Sequence, residues 1–307
     1  MKTTRREFAK GIASASIACS TIAARFAGGK DQERLPIAFS TLACPAWDLQ
    51  KILTFAEKHG FAAVELRGLE GNLDLPSHAA FAADRIAQTK SEIKAHGLRI
   101  ACVSSSASLH ESDPEKRAKV LADARRFIDL ASSLQSPNVR VFGSSGLEHA
   151  APPSDELKAR VAEGLHELGN YAGPRNVTVI IESHDNFTAS TSLADVLHRA
   201  DSKSVALLWD AHHTFADSNE DPKFTVKQLG SWIRHTHLKD SVVQGSDRKY
   251  VLTGRGNVPI GDQIAALRSI GYKGFYCFEW EKVWHPELED PEIAIADFAR
   301  VVAAYFR

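Results

Sequence analysis

The feature that most restricts the fold is a phrase that recurs along the chain. "TFAEKHGFAAVELRG" (54–68), "IKAHGLRIACVSSS" (93–106) and "LRSIGYKGFYCFEW" (267–280) each run from a helix end, through a glycine and an apolar residue, into a buried strand. Before the first of them, Leu49, Ile52, Leu53 and Ala56 share one helical face, with Asp48 as cap and Gly60 as stop. The same reading predicts strands near 37–41, 62–67, 98–104, 138–143, 177–182, 205–210, 232–238 and 274–280, with helical patterns between most of them. The strands are continuous apolar runs, as a parallel sheet covered on both faces requires. Eight such units predict an α/β fold, a (β/α)8 barrel occupying 35–307 as a single domain. The competing open, doubly wound sheet needs a Gly-rich turn after its first strand, and "STLACPAWD" (40–48) has none.

In such a barrel the chemistry sits at the C-terminal ends of the strands. Four predicted strands reach an ionisable residue there: "VTVIIE" at Glu182, "VALLWD" at Asp210, "WIRHTH" at His237 and "GFYCFE" at Glu279. One acid in that place commonly caps the next helix or meets solvent. Three carboxylates converging on one rim repel each other unless a cation or protons intervene. Three oxygen ligands and one imidazole suit a single divalent metal ion, Mn²⁺ first, with Mg²⁺, Co²⁺ or Zn²⁺ as alternatives.

Together, "IESH" (181), "WDAHH" (209), "HTHLKD" (235) and "FEWE" (278) resemble the xylose-isomerase-like TIM-barrel sugar isomerases and epimerases, including the D-tagatose 3-epimerase type. The resemblance covers essentially all of the chain after its first thirty residues. It implies metal ligands at Glu182, Asp210, His237 and Glu279, with Glu182 and Glu279 as the catalytic acid–base pair. The implied reaction moves a proton beside a sugar carbonyl through an enediolate. His213 resembles the family's substrate-contacting histidine, and His184, Lys239 and Glu65 complete the expected substrate contacts. Epimerases of that type carry an acid and an arginine where this chain has Thr188 and Val243. Those departures weigh against epimerisation of a free ketose and leave the metal positions intact. A lyase, dehydratase or glycoside-cleaving enzyme on a keto-sugar or keto-acid is the rival reading, and a non-catalytic carbohydrate-binding protein a second. Apurinic endonucleases of the same superfamily need further histidines where this chain has "VSSS" and "VFGSS".

The first thirty residues read differently. "TTRREFAK" followed by "GIASASIACSTIAA" resembles a twin-arginine export signal, which predicts a periplasmic or exported protein. Its uncharged part is shorter than the ~20 residues of a membrane span. Without residues 1–27 the chain keeps 32 basic and 37 acidic residues, so nothing favours nucleic acid or anionic lipid. The expected partner is a small-molecule sugar, with homo-oligomerisation left open. Cys44, Cys102 and Cys277 lie far apart without a CxxC pair, and the latter two sit in strand-like runs as buried thiols. Trp209, Trp280 and Trp284 are candidates for a sugar-stacking wall. Gly254 and Gly256 either cradle a phosphate or shape the entry to the next helix.

Overall fold

A computed structural model describes residues 34–145, 151–244 and 247–306; the segment 1–30, read above as an export signal, lies outside the described residues. Eight parallel strands close into a barrel: β1 (Ile37–Ser40), β2 (Ala63–Leu66), β3 (Arg99–Ser108), β4 (Asn138–Phe142), β5 (Thr178–Glu182), β6 (Val205–Asp210), β7 (Ile233–Leu238) and β10 (Tyr276–Phe278). Each neighbours the next in sequence around the ring, and β10 pairs with β1 to close it.

The outer layer holds α1 (Leu49–Lys58), α2 (Ile86–Ala95), α3 (Pro114–Leu134), α4 (Asp155–Ala172), α5 (Ser190–Ala200), α6 (Ala211–Ala216), α7 (Pro222–Leu229), α8 (Ile260–Ser269) and α9 (Pro291–Val302). Local chemistry sets several of their starts. Asp48 accepts from Lys51 N, Asp113 from Lys116 N and Ser154 from Leu157 N, so orphan amides of the first turn are satisfied. Pro114 and Pro291 occupy first-turn positions, where a missing N–H costs nothing. The apolar stripe Leu49, Ile52, Leu53 and Ala56 is buried as the spacing requires. Inside the barrel small residues fill one level, Ala38, Ala63, Ala101 and Cys277, and Cys102, Ile180, Ala206 and Leu208 pack together as a second cluster. Above them the interior turns polar. No helix among the described residues is long and apolar enough to cross a membrane.

The stretch after β7 carries an antiparallel ribbon, β8 (Asp240–Gln244) with β9 (Asp247–Val251). In the sequence, Val242 and Val243 before and Tyr250 and Val251 after flank a short polar stretch, a hairpin signal. The glycines beyond it hold no phosphate. Gly254 N and Gly256 N donate to Asp240 Oδ2 at 2.8 and 2.9 Å, and Val258 N donates to Oδ1 at 3.3 Å. A Cβ on Gly256 would stand 2.2 Å from Asp240 Oδ1, so only glycine fits. The carboxylate, 1% exposed, serves as the anion in that cradle. Asp240→Ala should strand these amides at about 1–3 kcal/mol for the least compensated of them. Calorimetry should then show Tm lowered by roughly 2–12 °C at 2–4 °C per kcal/mol; an unchanged Tm would show that the cradle holds nothing in place.

Candidate metal centre and active site

The barrel brings the four strand-end residues to one point. Glu182 and Asp210 close β5 and β6, His237 is the penultimate residue of β7, and Glu279 follows β10 directly. Asp210 and His237 are register partners across adjacent strands. One ligand atom from each of the four lies within 4.8 Å of all the others. His237 Nδ1 stands 3.1 Å from Glu182 Oε1, 3.2 Å from Glu279 Oε1 and 3.9 Å from Asp210 Oδ2. All four are buried, Asp210 and His237 completely.

The set fits a divalent cation on its own chemistry. Ligands on opposite sides of a ~2.1 Å coordination shell are about 4.2 Å apart, close to the span seen here. Asp210 Oδ2, the oxygen nearest His237 Nδ1, is buried without a hydrogen-bond partner. Lys239 Nζ is 2.8 Å from Asp210 Oδ2, near enough for charge attraction but off the hydrogen-bond direction. An orphaned carboxylate oxygen at the focus of a donor cluster is what a cation would satisfy.

Lys239, His213 and His184 adjoin the cluster. Lys239 Nζ donates to Glu279 Oε2 at 2.5 Å and to Glu281 Oε1 at 2.7 Å. Burial disfavours its charge, but Asp210, Glu279 and Glu281 outweigh that and hold its pKa well above the usual lysine value. His213 Nε2 is 3.5 Å from Asp210 Oδ2, and its Nδ1 meets Asp217 Oδ2 at 2.9 Å. Burial pulls its pKa down, yet these two carboxylates prevail and keep it up at about 9. His184 is half-buried, its ring edge-on to that of His213 at 4.6 Å between centroids.

Glu65 departs from the expectation. It does not reach the rim as a substrate contact but is completely buried behind His237. Its Oε2 lies 2.8 Å from His237 Nε2 and 2.7 Å from His235 Nε2, and its Oε1 accepts from Ser40 Oγ at 3.0 Å. Ala63 and Glu65 of β2 face inward, and Arg67 just beyond the strand keeps the same phase, so a strand-end acid can sit one level below the rim. A carboxylate on the far nitrogen of a ligand imidazole fixes the tautomer and aims the near nitrogen at the cation.

The tryptophans do not form a stacking wall. Trp209 is wholly buried with Nε1 on Thr214 Oγ1, Trp280 is buried with Nε1 on the Glu289 carbonyl, and Trp284 is exposed. Cys44, Cys102 and Cys277 are buried and free, and burial pushes each thiol up.

Several site residues were not singled out from sequence. The ribbon ties itself to the centre by Arg248 to Asp217, which holds His213, and by Tyr250 Oη donating to Glu281 Oε1 at 3.0 Å. Arg140 projects inward from β4, its Nε 3.2 Å from Glu182 Oε2. The signal for it was a charge in the middle of the apolar strand "NVRVF".

Comparison with known proteins agrees with this architecture. An inosose dehydratase of Bacillus cereus (strain ZK / E33L) is 26% identical over 155 residues, 45% of this chain. The chain spans about half (51%) of that relative's length. Among solved structures, the D-allulose 3-epimerase of a Methylomonas species superposes with a TM-score of 0.71 at 20% identity, covering 89% of this chain and 98% of the other. A xylose isomerase-like TIM barrel protein from Mycobacterium smegmatis, solved in complex with magnesium, gives 0.69 at 18% identity, with 88% and 96% covered. Residues 53–300 match the family described as xylose isomerase-like TIM barrel, and with the closed eight-stranded barrel already traced, this chain belongs to that family.

Proposed function

We propose that the protein is a metal-dependent enzyme that moves a proton at the carbon beside a carbonyl in a sugar or sugar derivative, acting as an isomerase or epimerase. The observation that carries this reading is the convergence of Glu182, Asp210, His237 and Glu279 within 4.8 Å at the barrel mouth. A divalent cation held by these four, Mn²⁺ in our reading, would polarise a carbonyl and its neighbouring hydroxyl and favour the negative charge that develops when a proton leaves.

The chain's own residues supply the rest. Glu279 is held well below the usual carboxylate range, because His237 and Lys239 outweigh its burial; Glu182 is lowered likewise by Arg140 and His237. Both are therefore ionised, and each can accept a proton as general base. Standing on β5 and beside β10, they approach a substrate in the mouth from different strands. Lys239 and His213, both held protonated, form the donor side and can hold a hydroxyl or return a proton to it. That protonated side, the inosose dehydratase relatives, and Thr188 and Val243 in place of the epimerase residues favour a second reading, in which proton loss is followed by departure of a neighbouring hydroxyl. We further place the protein outside the cytoplasm, on the strength of the twin-arginine pattern in residues 1–30.

The test is a panel of aldoses, ketoses and keto-sugars incubated with Mn²⁺-loaded protein in D₂O and followed by NMR. Deuterium should enter the carbon beside the carbonyl and be abolished by EDTA. An isomer as product supports the first reading, and loss of one water supports the second. A panel without deuterium exchange, on protein shown to bind Mn²⁺, would sink both.

A further inference from the structure

Two guanidinium groups stand beside the four-residue cluster; Arg140 helps keep Glu182 ionised, but neither has a role toward the substrate in the proton-transfer scheme. Arg67 follows β2 in the inward phase set by Ala63 and Glu65, and Arg140 occupies the middle of β4. They are 5% and 1% exposed. Arginine carries five N–H donors and is almost never buried without acceptors for them. Here Arg67 Nη1 and both Nε and Nη1 of Arg140 are buried with no hydrogen-bond partner.

The carboxylates nearby do not account for them. Arg140 Nε is 3.2 Å from Glu182 Oε2 but misaligned, and that oxygen is itself unpartnered. The plane of Arg140 is instead laid over the Phe142 ring, Cζ 3.9 Å from its centroid, which fixes the fork. Burial and the neighbouring charge of Arg140 pull Arg67 down to about 9, against Glu182, Glu279 and Glu65, so it stays a cation at neutral pH. Two like charges are thus buried near one another with donors unspent, and an unpaired buried charged donor is among the costlier arrangements in a protein.

We infer that Arg67 and Arg140 form an anion subsite, and that the substrate is a sugar acid whose carboxylate is adjacent to the reacting carbonyl. A planar, singly charged, two-oxygen group matches the guanidinium fork. A phosphate dianion matches less well, because the negative charges of Glu182, Glu279 and Glu65 already act on Arg67 and would repel a second charge. Adjacency follows from geometry: Arg140 reaches one oxygen of Glu182, while the other oxygen faces the His237 cluster. The inference rests on the metal reading above and narrows its substrate class.

The experiment compares 2-keto-D-gluconate with D-fructose, which differ only in carrying a carboxylate or a hydroxymethyl group at C1, by titration calorimetry on the full Mn²⁺-loaded chain. The wild type should bind the keto acid at least about tenfold more tightly. Arg67→Met should bring that preference to within roughly twofold while leaving Mn²⁺ affinity unchanged, and Arg67→Lys, which keeps the charge but not the fork, should fall between. Unaltered Mn²⁺ affinity also shows that the variants are folded. Equal affinity of the wild type for the two compounds overturns the inference. So does tighter binding of D-fructose 6-phosphate than of the keto acid, or an Arg67→Met variant that weakens both compounds alike. Should the wild type bind no Mn²⁺, the metal reading falls by itself; the same pair is then compared in EDTA, where a preference for the keto acid still upholds the subsite and its absence overturns it.

Discussion

Replacing Glu279 by glutamine is expected to lower turnover on the active carbonyl sugar by about 10²–10⁴-fold, the range a positioned acid or base contributes. The substitution keeps shape and one acceptor oxygen while removing the charge that accepts a proton. The fold should survive it. Glu279 lies beyond the last residue of β10, and its partner Lys239 retains Asp210 and Glu281 as counter-ions. Circular dichroism and Tm should therefore stay close to wild type while kcat collapses. A second readout separates the base from the metal ligand. If glutamine still coordinates through its carbonyl, Mn²⁺ affinity falls far less than kcat. Unchanged turnover in the folded variant would remove Glu279 from the mechanism.

Much of this site was legible in the sequence, and the reason is geometric. A strand buried on both faces must be apolar until it emerges, so its first ionisable residue marks the rim. Glu182, Asp210 and Glu279 are such residues, while His237 comes after Arg234 and His235 in its own strand, and closure of the barrel then brings together four side chains that span nearly a hundred positions. What the strand pattern does not reveal is depth. Glu65 carries the same strand-end signature as Glu182, yet its partners His235 and His237 come from a strand 170 residues later, and they draw it beneath the metal position rather than beside it. The Arg140 side chain was hidden for the opposite reason: it belongs to the middle of a strand, where an apolar neighbour is expected, and only the length of arginine carries its charge up to Glu182. The ribbon β8–β9 leaves only a weak trace in the sequence, the short runs "DSVV" and "KYV" on either side of a polar stretch. Its contacts to His213 and Glu281 depend on side chains whose reach no pattern encodes.

Glu65→Gln is expected to weaken Mn²⁺ binding by about 10–100-fold without touching a ligand, the usual penalty for removing a carboxylate behind a metal-binding imidazole. His237 faces carboxylates on both sides: Glu182 and Glu279 at Nδ1, Glu65 at Nε2. Burial lowers its pKa, but Glu279, Glu65 and Glu182 together raise it well above the ordinary value, so the metal-free ring holds protons on both nitrogens. A cation bound at the cluster would displace the Nδ1 proton, whereas the Nε2 proton would stay on the ring, donated to Glu65. The sign follows. Because binding releases a proton, affinity should rise with pH in the wild type until the ring of the free protein has itself lost that proton. In Glu65→Gln the charge that holds the Nε2 proton is gone, so the ring loses its first proton at lower pH and no longer has one preferred tautomer. The variant should therefore show a flatter pH dependence over the same range as well as the weaker binding. The more severe Glu65→Leu leaves the N–H groups of His235 and His237 buried without an acceptor, and breaking a buried pair in that way costs about 3–5 kcal/mol. Isothermal titration of both variants between pH 6 and 8, with denaturant unfolding alongside, decides the matter: Mn²⁺ affinity in Glu65→Gln equal to wild type at every pH would show that the buried carboxylate only fills space.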